Sequence, residues 1–111
     1  MIRKIKKRDG KIVDFNPVRI TEAIWKAAQA VGGKDYKKAA ELTDKVIAIL
    51  EIELKRSEIP TVEQVQDVVE KVIIEDGHVK TAKAFILYRK QHQDMREIGG
   101  LLKILTSSMI I

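Results

Sequence analysis

Two short runs, Lys7-Arg8-Asp9-Gly10 and then Phe15-Asn16-Pro17-Val18-Arg19-Ile20, hold the residue types of this chain best suited to chemistry. That chemistry is the capture of an anion. Asp-Gly between two strand-like runs is a strong hairpin signal, because both residues tolerate positive φ. Asn16 is a preferred N-cap, and Pro17 has the fixed φ that suits the first helical position. Phe15 and Ile20 then fall at N′ and N4, the pair that makes a hydrophobic staple. A basic hairpin is thus delivered onto the positive end of a helix. The arrangement suits a multiply charged anion, a triphosphate in particular.

The charge distribution supports this reading. Residues 1–19 carry Arg3, Lys4, Lys6, Lys7, Arg8, Lys11 and Arg19 against Asp9 and Asp14, a net of +5. The remainder holds 14 basic and 14 acidic residues, so all the excess positive charge sits on the hairpin and the first helix turn. A lysine-rich edge strand that resists aggregation is the plainer explanation. It accounts less well for Lys7, Arg8 and Arg19 together. With no ligand bound, Lys7 and Arg8 are expected to face solvent.

The elements that must position these residues fit one domain. At 111 residues with 45% hydrophobic content, the chain can build a single core. The absence of cysteine excludes a disulfide framework and a thiolate zinc ribbon. His78 and His92 lie far apart and suggest no metal site. There is no apolar run of about 18 residues to span a membrane, and the start lacks the apolar stretch of a secretion signal. The default compartment is the cytoplasm. No catalytic constellation is visible.

Residues 2–7 and 12–15 read as the hairpin. A two-residue Asp9-Gly10 loop would set Ile5 opposite Asp14, and turn chemistry favours it. A loop one residue longer would set Ile5 opposite Phe15 and Lys7 opposite Val13. That register gathers Ile5, Lys7, Val13 and Phe15 on one face, and we prefer it for that reason. The periodicity predicts helices at about 17–31, 36–55, 61–76 and 79–95. The first has the stripe Ile20, Ala23, Ile24, Ala27, Ala28 and Val31, with Trp25 in the core or half-buried. The second has Ala39, Leu42, Val46, Ile49 and Leu54. The third opens on a Thr61/Gln64 capping box and carries Val62, Val65, Val69, Val72 and Ile73. Its β-branched content means that packing must hold it. The fourth offers Ala82, Phe85, Ile86 and Tyr88 to the core. The expected fold class is α+β, mostly α, with a short N-terminal β-hairpin packed on a four-helix bundle. Residues 1–95 form the domain. The apolar 96–111 is a tail or linker, cut from a longer protein or packed on a partner.

Ile5-Lys6-Lys7-Arg8-Asp9-Gly10, then Phe15-Asn16-Pro17 and Arg19-Ile20, resemble the ATP-cone domain. Ile59-Pro60-Thr61 before a Val-rich helix, and Thr81-Ala82-Lys83 leading to Tyr88-Arg89, are similar to its later segments. The resemblance implies a regulatory module that binds ATP or dATP as allosteric effector, with Mg2+ as a candidate companion ion. It also implies the N-terminus of a ribonucleotide reductase, whose activity and subunit assembly the nucleotide controls. By that resemblance Lys7 and Arg8 hold phosphates, and Ile5, Phe15 and Ile20 contact adenine. Asn16 reads the base edge while capping the helix, and Arg19 lies toward ribose and phosphates. Thr61 and Gln66 close the other side. Val13 stands where relatives often carry an acid. A basic residue late in the last helix also recurs in the family, and Lys90 or Gln91 stands nearest that place.

The implied partners are a nucleotide and the catalytic domain of the parent protein, with nucleotide-controlled oligomerisation. Reduction by this family needs cysteine, so the chemistry would lie beyond Ile111 and this segment would be non-catalytic. The alternatives are the ATP-cone of a nucleotide-responsive transcriptional repressor or of a sugar-phosphate kinase. The repressor carries a cysteine zinc ribbon that this chain lacks. With only 5% aromatic residues there is little to stack on bases, which argues against nucleic acid as the partner.

Overall fold

A computed structural model describes residues 2–55 and 58–92. The expected tail at 96–111 and the end of the fourth helix near Met95 lie outside the described residues. The hairpin is β1 (Lys4–Lys6) and β2 (Ile12–Asp14). Helices α1 (Pro17–Ala30), α2 (Tyr36–Glu53) and α3 (Val62–Glu75) follow. A fourth, α4, occupies 79–92. The protein is therefore mostly helical, with an antiparallel hairpin at its start. Among the described residues no helix is long and apolar enough to cross a membrane.

The hairpin register differs from both expectations. Ile5 pairs with Val13, with Lys4 opposite Asp14 and Lys6 opposite Ile12. The loop is Arg8-Asp9-Gly10, closed by Lys7 N–H to Lys11 C=O at 2.8 Å and Gly10 N–H to Lys7 C=O at 3.0 Å. Gly10 takes the left-handed conformation, φ +88°, while the Asp9 carboxylate accepts from Lys11 N–H. Asp-Gly thus serves as the end of a three-residue turn with its glycine in αL, not as a two-residue loop. The slip from the preferred register is an even number of residues. Side-chain parity is therefore kept, and Ile5, Val13 and Phe15 are all half-buried, while Lys7 of the same set is exposed.

Each helix begins where its cap dictates. Asn16 Oδ1 accepts from Val18 N–H at 3.1 Å, and Pro17 follows at the first helical position. Asp35 caps α2 through Lys38 N–H. Thr61 and Gln64 form the reciprocal capping box of α3, at 3.1 and 2.8 Å. Helices α1 and α3 end alike. Gly33 N–H reaches Ala28 C=O and Gly32 N–H reaches Gln29 C=O, and His78 and Gly77 do the same to Ile73 and Ile74. This paired closure satisfies carbonyls that the helix leaves open.

Helix α1 packs on α2, and α2 on α3. The core joins Ile20, Ile24 and Ala27 to Ala39, Leu42, Val46 and Leu50, then to the valines of α3 with Ile73, and to Ala82 and Phe85 of α4. Five buried residues, Val65, Val68, Val69, Val72 and Ile73, hold α3 despite its poor propensity. Three expected core positions are exposed: Val31, Ile86 and Tyr88. Val31 has reached the C-cap, where the helical phase no longer applies. Ile86 lies one residue past Phe85 and turns to solvent, whereas Leu50 and Val68, in phase with their stripes, are buried. Trp25 is half-buried and meets Tyr36 edge-on, with ring centroids 5.6 Å apart. The Thr21 and Thr43 hydroxyls, buried between α1 and α2, bond each other at 2.7 Å.

One contact joins the start of the chain to its middle. Lys6 N–H donates to Pro60 C=O at 2.9 Å, and Lys6 and Thr61 form a parallel bridge. The outer edge of β1 is thereby tied to the start of α3.

Candidate functional site

A cleft of about 300 Å³ opens between the hairpin and the helices. The hairpin contributes Ile5, Lys7 and Arg8, and α1 contributes Arg19, Ile20 and Ala23. Across from them α3 supplies Val62, Val65, Gln66 and Val69, and α4 supplies Phe85, Tyr88, Arg89 and His92. The floor is apolar and the rim carries four cations. Such a surface can hold a flat apolar ring against the floor and anionic groups at the rim.

Six of the ten residues singled out from the sequence line this cleft: Ile5, Lys7, Arg8, Arg19, Ile20 and Gln66. Four do not. Val13 pairs with Ile5 on the neighbouring strand, half-buried. Phe15 packs against the core and donates its N–H to Arg3 C=O. Asn16 uses its side-chain oxygen on the α1 cap. Thr61 likewise spends its hydroxyl on the α3 cap. The basic residue that α4 brings to the cleft is Arg89, rather than Lys90 or Gln91. Arg89 and His92 stand one and two helical turns beyond Phe85, so the phase of the buried Phe85 was the signal that could have found them.

The cations are held differently. Arg8 is exposed as a residue, in line with expectation, but its side chain is partly covered, at 22% exposure. Its Nε lies 3.3 Å from Glu63 Oε1, and its Nη2 donates to Gln66 Oε1 at 3.3 Å. Arg89 donates from Nη1 to both Asp67 Oδ1, at 2.8 Å, and Glu70 Oε1, at 2.9 Å. Partial burial works against its charge, but these two carboxylates outweigh that and hold its pKa above the ordinary guanidinium value. Lys7 and Arg19 have no ion-pair partner among the described residues. The first turn of α1 contains no acidic residue and carries Arg19, which leaves the positive end of that helix uncompensated.

A second charged cluster lies at the far end of α3. Asp76 meets Lys45 Nζ at 2.7 Å, Lys38 Nζ at 3.0 Å and His78 Nε2 at 3.0 Å. Hydrogen bonds from Lys45 and Lys38 keep its carboxyl well below the usual carboxylate range. This carboxylate is fully engaged in tying α2 to the end of α3.

Hairpin, helical bundle and basic-rimmed cleft together make up one small module. Residues 3–94 match the ATP cone domain family, and the chain belongs to it. It is 44% identical over 109 residues to the vitamin B12-dependent ribonucleoside-diphosphate reductase of Thermoplasma acidophilum, covering 94% of this chain and 14% of that protein. It is 33% identical over 99 residues to the ribonucleoside-diphosphate reductase subunit alpha of Chlamydia muridarum, covering 82% of this chain and 10% of that one. The anaerobic ribonucleoside-triphosphate reductase of Salmonella typhimurium is 32% identical over 102 residues, with 92% and 14% covered. The chain thus spans about a seventh of the length of these relatives or less.

Proposed function

We propose that this domain binds ATP or dATP in the basic cleft and passes the signal to the catalytic part of a ribonucleotide reductase in the cytoplasm. The observation that carries the reading is the convergence of Lys7 and Arg8 from the hairpin with Arg19 from α1 above an apolar floor. Lys7, Arg8 and Arg19 receive the phosphates at the uncompensated end of α1. Ile5 and Ile20 receive the base, and Gln66 offers its amide group. Val13 stands beside Ile5 on the paired strand, Phe15 packs against the core, and Asn16 and Thr61 fix the helix starts that aim these side chains. Mg2+ would arrive with the triphosphate, whose phosphate oxygens ligate it. The relatives named above are reductases of three kinds, which supports a reductase parent over a repressor or a sugar-phosphate kinase. Nucleotide-controlled subunit assembly belongs to the same reading.

Calorimetric titration with ATP and dATP tests it. Lys7→Ala removes a charge-assisted hydrogen bond of roughly 1.5–3 kcal/mol, so affinity should fall about tenfold to a hundredfold. Lack of binding of either nucleotide at millimolar concentration by the folded wild type would overturn the proposal.

A further inference from the structure

We infer that Glu63 competes with the phosphates for Arg8 and thereby lowers the nucleotide affinity of the cleft. The inference rests on the reading above, that the cleft binds a nucleotide. Carboxylate and phosphate oxygens satisfy a guanidinium through the same charge-assisted hydrogen bonds. In this structure the Glu63 carboxylate already stands within ion-pairing distance, 3.3 Å from Arg8 Nε, while Gln66 accepts a hydrogen bond from Nη2. A phosphate that engages Arg8 must displace Glu63 or share the guanidinium with it, and sharing sets two negative groups side by side. Either course opposes binding.

The two ion-paired arginines of the cleft differ in how firmly they are held. Arg89 is gripped by Asp67 and Glu70 at 2.8 and 2.9 Å. Arg8 has one carboxylate partner, at 3.3 Å, and the Glu63 side chain is 60% exposed. Glu63 can therefore swing into solvent when a stronger anion arrives, while its seat in the first turn of α3 keeps it near. Arg8 is the exchangeable cation.

The test is a titration of the 111-residue chain with ATP and with adenosine, for the wild type, Glu63→Gln, Arg8→Met and the double variant. An ion pair with one exposed partner is worth enough that Glu63→Gln should tighten ATP about twofold to fivefold. Adenosine, which has no phosphate to reach Arg8, should bind both proteins alike. In the Arg8→Met background the gain should disappear. Unchanged or weaker ATP binding by Glu63→Gln would mean that the ion pair merely braces the loop, and the inference would fail. A gain that persists undiminished without Arg8 would reduce Glu63 to a background charge, and the inference would fail again. Wild type that binds no nucleotide would instead remove the underlying reading. Thermal melts of each variant establish that all four proteins fold.

Discussion

Asn16 illustrates how one side chain can be demanded twice. Its oxygen is committed to Val18 N–H, so the helix start that presents Arg19 depends on it. Asn16→Ala should cost about 1 kcal/mol of stability, read from denaturant unfolding, and should weaken nucleotide binding through the disturbed first turn. Lys7→Ala should leave stability nearly unchanged, because Lys7 is exposed and has no ion-pair partner among the described residues. A loss of stability on Lys7→Ala as large as that on Asn16→Ala would show that Lys7 serves the scaffold. Capping roles were legible at this scale because they depend on neighbours in sequence. The engagement of Arg8 was not, since its partners Glu63 and Gln66 lie on a helix that only tertiary packing brings near.

At the level of elements, α3 is anchored at both ends, by the Thr61 capping box and by Asp76 with its lysines from α2. The Asp76 carboxyl is depressed in the folded chain by hydrogen bonds from Lys45 and Lys38. A carboxylate of lowered pKa stabilises the fold above its unfolded value of about 3.9, and the contribution fades as pH falls through the folded value. Melting temperature should therefore drop on acidification below about pH 4, and less steeply in Asp76→Asn. Equal acid limbs for the two proteins would exclude Asp76 as a contributor. Helix starts and stops were readable from Asn16, Thr61, Gly32 and Gly77, whose preferences are local. The hairpin register was not, because Asp-Gly fits more than one loop length and the sequence does not show whether Arg8 belongs to the strand or to the turn. Ile86, four residues past the buried Ala82, reads as core by helical spacing, but it lies on the far side of that stripe from Phe85 and is exposed.

For the whole molecule, the cleft exists only when four separate elements are assembled, so a nucleotide held there stabilises the assembly and not one part of it. ATP at 100 times its dissociation constant should add about 2.7 kcal/mol to the unfolding free energy. For a domain of this size that raises the melting temperature by roughly 10–20 °C, measurable by calorimetry or circular dichroism. Absence of a shift at that ligand excess would contradict binding to the folded state. The two sides of the cleft are also joined by main chain, through Lys6 N–H and Pro60 C=O and the bridge to Thr61. This has a consequence for the order of folding. A lone two-stranded hairpin is marginally stable in water, and contacts between distant parts of a chain form late. During synthesis the hairpin, α1 and α2 emerge first, with the outer edge of β1 still lacking its Pro60–Thr61 neighbour. The cleft between hairpin and α3 should therefore close late, once Pro60 and Thr61 dock beside Lys6 and bring α3 with them.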